Sequence, residues 1–295
     1  MRATTLQDDD LIKLIRQHLP DFAFKRAERL QSPGQFNIVL TVDDKWIFRF
    51  PKSAGAAADL ARELEILPRL HGRLPLPIPH PRSHARDAAS GRLLFMGYPR
   101  LPGEPLTPAR FARLQDDAAV LAGIAKDLAL FLRALHVIKP AEHGLAPAGE
   151  DALAEWTRFG DEIRGKLFPH MRSDARETVA RNFEAALNDA EIWYYDACLI
   201  HGDFGTGNLL FRDGRVSGVI DFGFCAPGDP AQDLGALLAS YGEAFVERVC
   251  RHYPALRAGL PRARFYQSNY ALIQALYALR DGDAAEFEDG MREYV

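Results

Sequence analysis

The sequence has few cysteines, no long apolar run and no large net charge, and each of these shortages argues against a class of protein. Three cysteines among 295 residues, with no Cys-x-x-Cys pair, argue against a disulfide framework and a zinc site and predict a cytoplasmic protein. No apolar run is long enough to cross a bilayer, and residues 1–10 lack the apolar core of a signal peptide. We therefore expect no membrane partner.

Two common kinds of nucleotide or nucleic-acid binding motif are missing as well. The sequence contains no G-x-x-x-x-G-K-[ST] motif, which argues against a P-loop enzyme. It also lacks a basic stripe with interleaved aromatic residues, so we expect no nucleic-acid partner.

The net charge of −4 is divided unevenly along the chain. Residues 1–98 contain 15 Lys and Arg against 11 Asp and Glu, whereas residues 99–295 contain 21 against 29. A basic first part suits a nucleoside triphosphate, and an acidic second part suits a cationic small-molecule substrate. Surfaces also vary in charge without such partners, so both interpretations stay open.

Two short segments, HGDFGTGN at 201–208 and VIDFG at 219–223, are the most informative part of the sequence. They place Asp203, Asn208 and Asp221 at the spacing of kinase-type phosphotransferases. In that chemistry the first aspartate accepts the proton of an attacking hydroxyl, and the asparagine and second aspartate hold the Mg²⁺ that bridges the nucleotide phosphates. A plain hairpin with turn carboxylates is the alternative, but the ordered set favours catalysis.

The sequence between these segments predicts how the three side chains meet. Residues 209–211 and 216–220 are predicted strands, and Asp213-Gly214 between them is a hairpin signal. A hairpin brings Asn208 and Asp221 side by side at its open end. Two adjacent oxygen ligands are what Mg²⁺ requires.

On these residues, and on GDPAQDL at 228–234, the chain resembles the aminoglycoside and macrolide phosphotransferases, which are relatives of the protein kinases. The resemblance is strongest over residues 198–240 and is closest to the aminoglycoside 2''-phosphotransferases and the macrolide kinases. In the family pattern, His201 and Asp233 support the catalytic loop without taking part in proton transfer.

The resemblance implies an α+β, bilobal protein-kinase-like fold. Residues 1–98 are expected to form a small N-terminal antiparallel-sheet lobe that binds nucleotide. Residues 99–295 are expected to form a larger, mainly helical C-terminal lobe for catalysis and substrate binding, with a hinge at about 96–105. We expect the protein to be a monomer.

The resemblance also implies nucleotide-binding residues in the first lobe. The loop containing Ser32 and Gly34 is expected to cover the phosphates with backbone N–H groups, although its single glycine also fits a plain hairpin turn. Arg49 stands in a strand where the family usually has lysine, and its guanidinium can hold phosphate. Glu63 lies on a predicted helix and is expected to face Arg49, while Glu65 points away. Solvated surface charges are the alternative for these ionic residues.

Two further groups of residues complete the expected site. Met96 and Tyr98 end a predicted buried strand, where the family offers backbone hydrogen bonds to the base of the nucleotide, ATP or GTP. Acidic residues of the second lobe are candidates for binding a cationic acceptor, with a solvated helix face as the alternative. These acceptor candidates are Glu243, Asp283 and Glu286.

Together the residues and the resemblance predict a Mg²⁺-dependent small-molecule kinase that transfers the γ-phosphoryl of ATP or GTP to a hydroxyl of an aminoglycoside antibiotic. A macrolide or another small metabolite is the alternative acceptor, and a nucleotide-binding pseudokinase is the alternative without catalysis. A protein kinase is disfavoured because no Ala-Pro-Glu segment follows Asp221.

Overall fold

The computed structural model describes residues 7–30, 36–139 and 152–295, and its first part is an antiparallel sheet. The strands are arranged in the order β1-β2-β3-β5-β4, and every pair is antiparallel. Their bounds are Ala27–Arg29 (β1), Asn37–Val42 (β2), Trp46–Pro51 (β3), Ser83–Arg86 (β4) and Leu93–Pro99 (β5). The predicted strands that contain Arg49 and Met96 are therefore present, and they are neighbours.

Alternation along these strands divides the side chains between two apolar clusters. Phe48, Phe50 and Phe95 pack with Leu11 and Ile15 of helix α1 (Asp8–His18) on one face. Arg49 pairs with Met96 and Ile47 with Tyr98 across the strands, so these four side chains share the other face. Because the phenylalanines of β3 point to one face of the sheet, Arg49 points to the opposite face, where the predicted site lies.

Helix α2 (Ala54–Leu70) packs on that second face and positions Glu63. Its first turn is capped by Ser53, whose hydroxyl oxygen accepts a hydrogen bond from the Ala56 N–H at 3.1 Å. Leu60 and Leu67 of the same helix are buried in the main apolar core, and Glu63 is fully buried beside them. The helical phase therefore turns this carboxylate inward.

The rest of the chain is mainly helical around one large apolar core. The helices are Pro108–Ala112 (α3), Ala118–His136 (α4), Ala152–Lys166 (α5), Ser173–Asn188 (α6), Ala231–Tyr241 (α7), Glu243–His252 (α8), Leu260–Asp281 (α9) and Ala284–Met291 (α10). Short 3-10 turns lie at Phe168–His170, Ala190–Trp193 and Pro254–Gly259. The long apolar stripe of α4 supplies much of the core of this part.

Two small antiparallel sheets lie among these helices and carry the predicted catalytic segments. Their strands are Glu104–Pro105 (β6), Cys198–Ile200 (β7), Leu209–Arg212 (β8), Arg215–Val219 (β9) and Ala226–Gly228 (β10). Strand β7 pairs with β10, and β6, β8 and β9 pair in that order. The predicted hairpin is the β8–β9 pair.

Two general properties of the chain are visible in the described residues. No helix there has both the length and the apolar character needed to cross a membrane. The cysteines Cys198, Cys225 and Cys250 are free thiols.

Candidate active site

The β8–β9 hairpin places Asn208 and Asp221 next to each other at its open end. Leu209 pairs with Val219 in the ladder, and the Ile220 N–H donates to the Asn208 carbonyl oxygen at 2.9 Å. Asp221 follows with φ of 65°, a left-handed conformation that L-residues seldom adopt. The chain thus turns sharply at the predicted metal ligand.

Asn208 also joins the predicted base to this corner. Its amide nitrogen donates to a carboxylate oxygen of Asp203 at 2.7 Å and to the Asp203 carbonyl at 3.0 Å. The loop between them is closed by hydrogen bonds from the Gly205 N–H to the Asp203 carbonyl and from the Asn208 N–H to the Gly205 carbonyl. The structure therefore brings Asp203, Asn208 and Asp221 together, as the spacing predicts.

His201 supports this loop from behind. Its Nδ1 accepts from the Asp203 N–H at 3.3 Å, and its Nε2 lies 3.1 Å from the Ile220 carbonyl oxygen. The two contacts together require the hydrogen to be on Nε2, because a carbonyl accepts and an N–H donates. Both ring nitrogens of His201 are thus used to tie the loop to the segment that carries Asp221.

Asp233, on α7, is the second support of the loop. Its carboxylate accepts from the backbone N–H groups of His201 at 3.0 Å and Gly202 at 2.8 Å, and it lies 3.1 Å from Nε2 of His136. The side chain is fully buried, so these donors replace its contacts with water.

Arg49 lies between two carboxylates. Its Nη1 donates to both oxygens of Glu63, at 2.8 and 2.7 Å, and its Nη2 donates to Oδ1 of Asp221 at 2.8 Å. Glu63 also accepts from the Phe222 N–H at 3.3 Å. The Arg49–Glu63 pair matches the sequence expectation, whereas the bond from Arg49 to Asp221 was not predicted.

The two aspartates of the site have opposite electrostatic environments. Burial raises the pKa of Asp203 above its ordinary value, and the charge of Asp221 adds to this rise. Burial also acts against the charge of Asp221, but the Arg49 guanidinium outweighs it and lowers the pKa of Asp221. Asp221 is thus kept as an anion, and Asp203 is the more basic carboxylate.

The remaining nucleotide-binding predictions lie in two places. Met96 and Tyr98 are buried at the end of β5, and Tyr98 is close enough to Arg49 for the guanidinium to affect the pKa of its hydroxyl, which burial raises. Ser32 and Gly34 lie outside the described residues.

Comparison with known proteins identifies the family. The sequence matches the phosphotransferase enzyme family known as APH over residues 27–266. The chain belongs to this family. Viomycin phosphotransferase of Streptomyces vinaceus is 33% identical over 271 residues, which cover 88% of this chain and 90% of that protein.

Solved structures of APH enzymes share the fold over nearly the whole chain. The GDP complex of wild-type aminoglycoside 2'-phosphotransferase-IIIa superposes with a TM-score of 0.89 at 25% identity and covers 97% of both chains. A GDP and kanamycin complex of an APH(2'') enzyme gives a TM-score of 0.87 at 25% identity over 96% of both. The expected kinase-like fold is confirmed, and the protein is a phosphotransferase of the APH family.

The donor set of this APH site fits a magnesium ion. Within the described part of the chain, no group of three or more His, Cys, Asp or Glu side chains is placed to hold a metal. Magnesium in nucleotide enzymes takes one or two protein oxygens and completes its shell with phosphates and water. Asn208 turns its amide nitrogen toward Asp203, which directs its amide oxygen away, and 42% of the Asp221 side chain is exposed. Two hard oxygen donors are thus available.

The three acceptor candidates are not brought together with Asp203. Glu243 forms an exposed ion pair with Arg264. Asp283 caps α10 by accepting from the Glu286 N–H at 3.1 Å, and the Glu286 carboxylate accepts from Gln274 at 2.6 Å. No hydrogen bond or ion pair within residues 7–30, 36–139 and 152–295 links these carboxylates to Asp203, so their role stays a prediction.

Two residues near the APH catalytic loop gave no signal in the sequence. The Ser240 hydroxyl on α7 accepts from the Thr206 N–H at 2.8 Å and so ties the loop to this helix. Tyr270 on α9 lies close enough to Asp203 and Asp233 for their charges to add to the rise that burial causes in its pKa. Neither residue belongs to a motif, because each reaches the loop only through helix packing.

Proposed function

We propose that this APH enzyme transfers the γ-phosphoryl of ATP or GTP to a hydroxyl of an aminoglycoside antibiotic. The observation that carries the proposal is the contact set of Asp203, Asn208 and Asp221, in which the Asp203 carboxylate is bonded to Asn208 and the hairpin holds Asn208 next to Asp221. An ordinary hairpin with carboxylates in its turn does not need buried residues such as His201 and Asp233 to support its loop.

Asp203 acts as the general base in this proposal. It orients the acceptor hydroxyl and takes its proton as the oxygen bonds to phosphorus. The bond from Asn208 fixes one carboxylate oxygen and leaves the other for the acceptor. A raised pKa suits this task because a more basic carboxylate accepts a proton more readily.

Asn208 and Asp221 hold Mg²⁺, which neutralises the charge of the β- and γ-phosphates when it is bound. The lowered pKa of Asp221 supports this role, because a ligand must be ionised to bind the cation. Arg49 takes the place of the usual lysine. Its second nitrogen is positioned beside the metal ligand, where a phosphate oxygen can replace Asp221 as its acceptor.

The base of the nucleotide binds at the backbone of Met96 and Tyr98, between a first lobe of residues 1–98 and a second lobe of residues 99–295. The loop with Ser32 and Gly34, which lies outside the described residues, is proposed to cover the phosphates. ATP and GTP both fit this assignment.

The acceptor is a cationic antibiotic in this proposal. The excess of acidic residues over 99–295 favours a cation, and a similar APH enzyme has been solved with kanamycin bound. Glu243, Asp283 and Glu286 are proposed to contribute to its binding. Viomycin is the second candidate, because the relative that is 33% identical is named as a viomycin phosphotransferase.

Phosphate transfer across a panel of acceptors tests the proposal. The panel contains kanamycin, gentamicin, viomycin and a macrolide, each with ATP and with GTP, and the Asp203→Ala variant serves as the blank. We expect transfer to an aminoglycoside or to viomycin that is lost in the variant. Equal turnover by the variant, or transfer to the macrolide alone, would contradict the proposal.

A further inference from the structure

Two exposed aromatic rings meet beside the catalytic loop. Phe36, directly before β2, and Phe224, three residues after Asp221, have ring centroids 5.8 Å apart with an angle of 72° between the ring planes. Phe36 is 40% exposed and Phe224 is 47% exposed. The pair thus connects the N-terminal sheet to the segment that follows the metal ligand, and it lies at the surface.

The backbone of Phe224 is firmly seated on the catalytic loop. A Cβ atom added to Gly202 would lie 2.5 Å from the Phe224 carbonyl oxygen and 2.9 Å from its Cβ, and Gly202 has φ of +82°. Only glycine permits this approach and this conformation. The Cys225 N–H donates to the Phe222 carbonyl at 3.0 Å, which closes a tight turn around Phe224. The ring is therefore held next to the residue that precedes Asp203.

Phe36 is fixed on the side of the N-terminal sheet. Its carbonyl oxygen accepts from the Lys52 N–H at 2.9 Å, just beyond the end of β3. Strand β3 carries Arg49, whose guanidinium reaches Asp221. The sheet that holds Phe36 and the segment that holds Phe224 are thus joined twice, once by an ion pair and once by the two rings.

We propose that the Phe36–Phe224 pair, here called the aromatic clasp, excludes water from the phosphoryl group during transfer. This inference rests on the proposed function. In transfer, the acceptor oxygen bonds to the γ-phosphorus, the bond to the β,γ-bridging oxygen breaks, and the acceptor proton passes to Asp203. Water in place of the acceptor undergoes the same steps and gives nucleoside diphosphate and inorganic phosphate. Two apolar rings between the N-terminal sheet and the segment after Asp221 disfavour that second reaction, because they displace water without offering it a hydrogen bond.

Nucleotide hydrolysis measured against transfer tests the clasp. Inorganic phosphate and phosphorylated acceptor are quantified for the wild type, Phe36→Ala, Phe224→Ala and the double variant, and hydrolysis is also measured without acceptor. We expect each single variant to raise hydrolysis by roughly 2- to 10-fold. The loss of one aromatic pair increases by about this factor the fraction of molecules in which water reaches the phosphoryl group. The double variant should add little to either single one, because each single change already breaks the pair.

Two controls separate the clasp from general damage. Phe36→Tyr keeps a ring at the contact and should keep hydrolysis near the wild-type value. Tyr194→Ala removes an aromatic side chain that is 87% exposed and should leave hydrolysis unchanged. Additive effects of the two phenylalanine variants, or unchanged hydrolysis in both, would overturn the clasp and leave the proposed function intact.

Hydrogen exchange gives a readout that needs neither nucleotide nor acceptor. In the nucleotide-free protein, Phe36→Ala should speed exchange of the Cys225 amide, because the turn around Phe224 loses its partner ring. Tyr194→Ala should not change it. An unaltered Cys225 amide in Phe36→Ala would show that the rings do not hold the two parts together. This outcome decides on the clasp even if no acceptor of the panel is phosphorylated.

Discussion

Arg49 shows how one side chain links three parts of the site. A guanidinium has separate nitrogens in a fixed plane, so it donates to Glu63 and to Asp221 at the same time. Burial acts against the charge of Arg49, but the Glu63 and Asp221 carboxylates outweigh it and raise the pKa of Arg49, so this residue remains a cation. A lysine has a single ammonium group and cannot reproduce both contacts in this geometry.

Arg49→Lys is therefore expected to be a damaging substitution. We expect it to lower the free energy of unfolding by about 1–3 kcal/mol, because one buried carboxylate loses its donor. Chemical denaturation measures this change. Arg26→Lys is the matched control, because Arg26 also has two carboxylate partners but is exposed. Equal stability of the two variants would contradict the role assigned to Arg49.

Substitution of Asp233 tests whether catalysis requires the loop of residues 201–208 to be held in place. In Asp233→Asn one oxygen becomes an NH₂ group, which cannot accept a hydrogen bond, so one of the two N–H groups of His201 and Gly202 loses its acceptor. We expect kcat to fall at least tenfold while nucleotide affinity changes by less than about twofold, because Asp203 is misplaced and the nucleotide contacts are not. Asp229→Asn is the control, because this aspartate is equally buried but binds Arg262 and Tyr266. A similar loss of kcat in both variants would contradict the prediction.

At the scale of elements, a histidine that follows α2 packs against a second histidine, and we expect this pair to make stability depend on pH. His71 follows the helix, and its ring lies 3.9 Å from that of His80, whose Nδ1 is buried without a partner among the described residues. Burial lowers the pKa of His80, and the charges of His71 and Arg82 lower it further. The folded state therefore favours the neutral imidazole.

The sign of the pH effect follows from this lowered pKa. Stability from neutral His80 is complete above the unfolded value of about 6.5 and is lost as the pH falls below it. We expect the midpoint of urea denaturation to drop more between pH 7.5 and 5.5 in the wild type than in His80→Gln. His252→Gln, at an exposed histidine, should behave as the wild type. Identical pH profiles for the wild type and His80→Gln would refute this prediction.

Helices α10 and α9 pack so closely at Gly290 that one added methyl group should disturb their contact. A Cβ at Gly290 would lie 2.7 Å from the Ala271 carbonyl oxygen and 3.0 Å from the Ala275 nitrogen, both of which are backbone atoms. Gly290→Ala is expected to lower the free energy of unfolding by about 1–3 kcal/mol, because α10 must move away. Gly165→Ala, in α5 with no atom within 4 Å of the added Cβ, should instead raise it by about 0.5–1 kcal/mol. Calorimetry of both variants checks the two signs.

At the scale of the whole molecule, local patterns predicted the centre of the site. The hairpin signal at Asp213-Gly214 sufficed to place Asn208 beside Asp221, because a hairpin depends on neighbouring residues alone. Strand alternation and helical phase, read together with the resemblance to the family, predicted that Arg49 and Glu63 face each other. The fold was predictable because these local signals occur in the order of a known family.

Contacts between distant segments could not be predicted in the same way. The bond from Arg49 to Asp221 and the meeting of Phe36 with Phe224 depend on how the sheet sits on the helical part, which no local pattern encodes. The acceptor residues stay unassigned because a carboxylate that binds a cation and one that faces water look alike in sequence. The sequence Asp283-Ala-Ala-Glu286 also fits a helix start, and Asp283 caps α10 in the structure.

Nucleotide binding with and without magnesium is the most direct test of the central claim, that Asp203 carries the proton transfer while Asn208 and Asp221 carry the metal. Titration calorimetry with ATP and GTP is run on the wild type, Asp203→Ala and Asp221→Ala, in excess Mg²⁺ and in EDTA. We predict that Asp203→Ala keeps the magnesium-dependent affinity of the wild type although it transfers no phosphate, and that Asp221→Ala binds equally weakly in both conditions. Magnesium-dependent binding that survives in Asp221→Ala would contradict the assignment of the metal site.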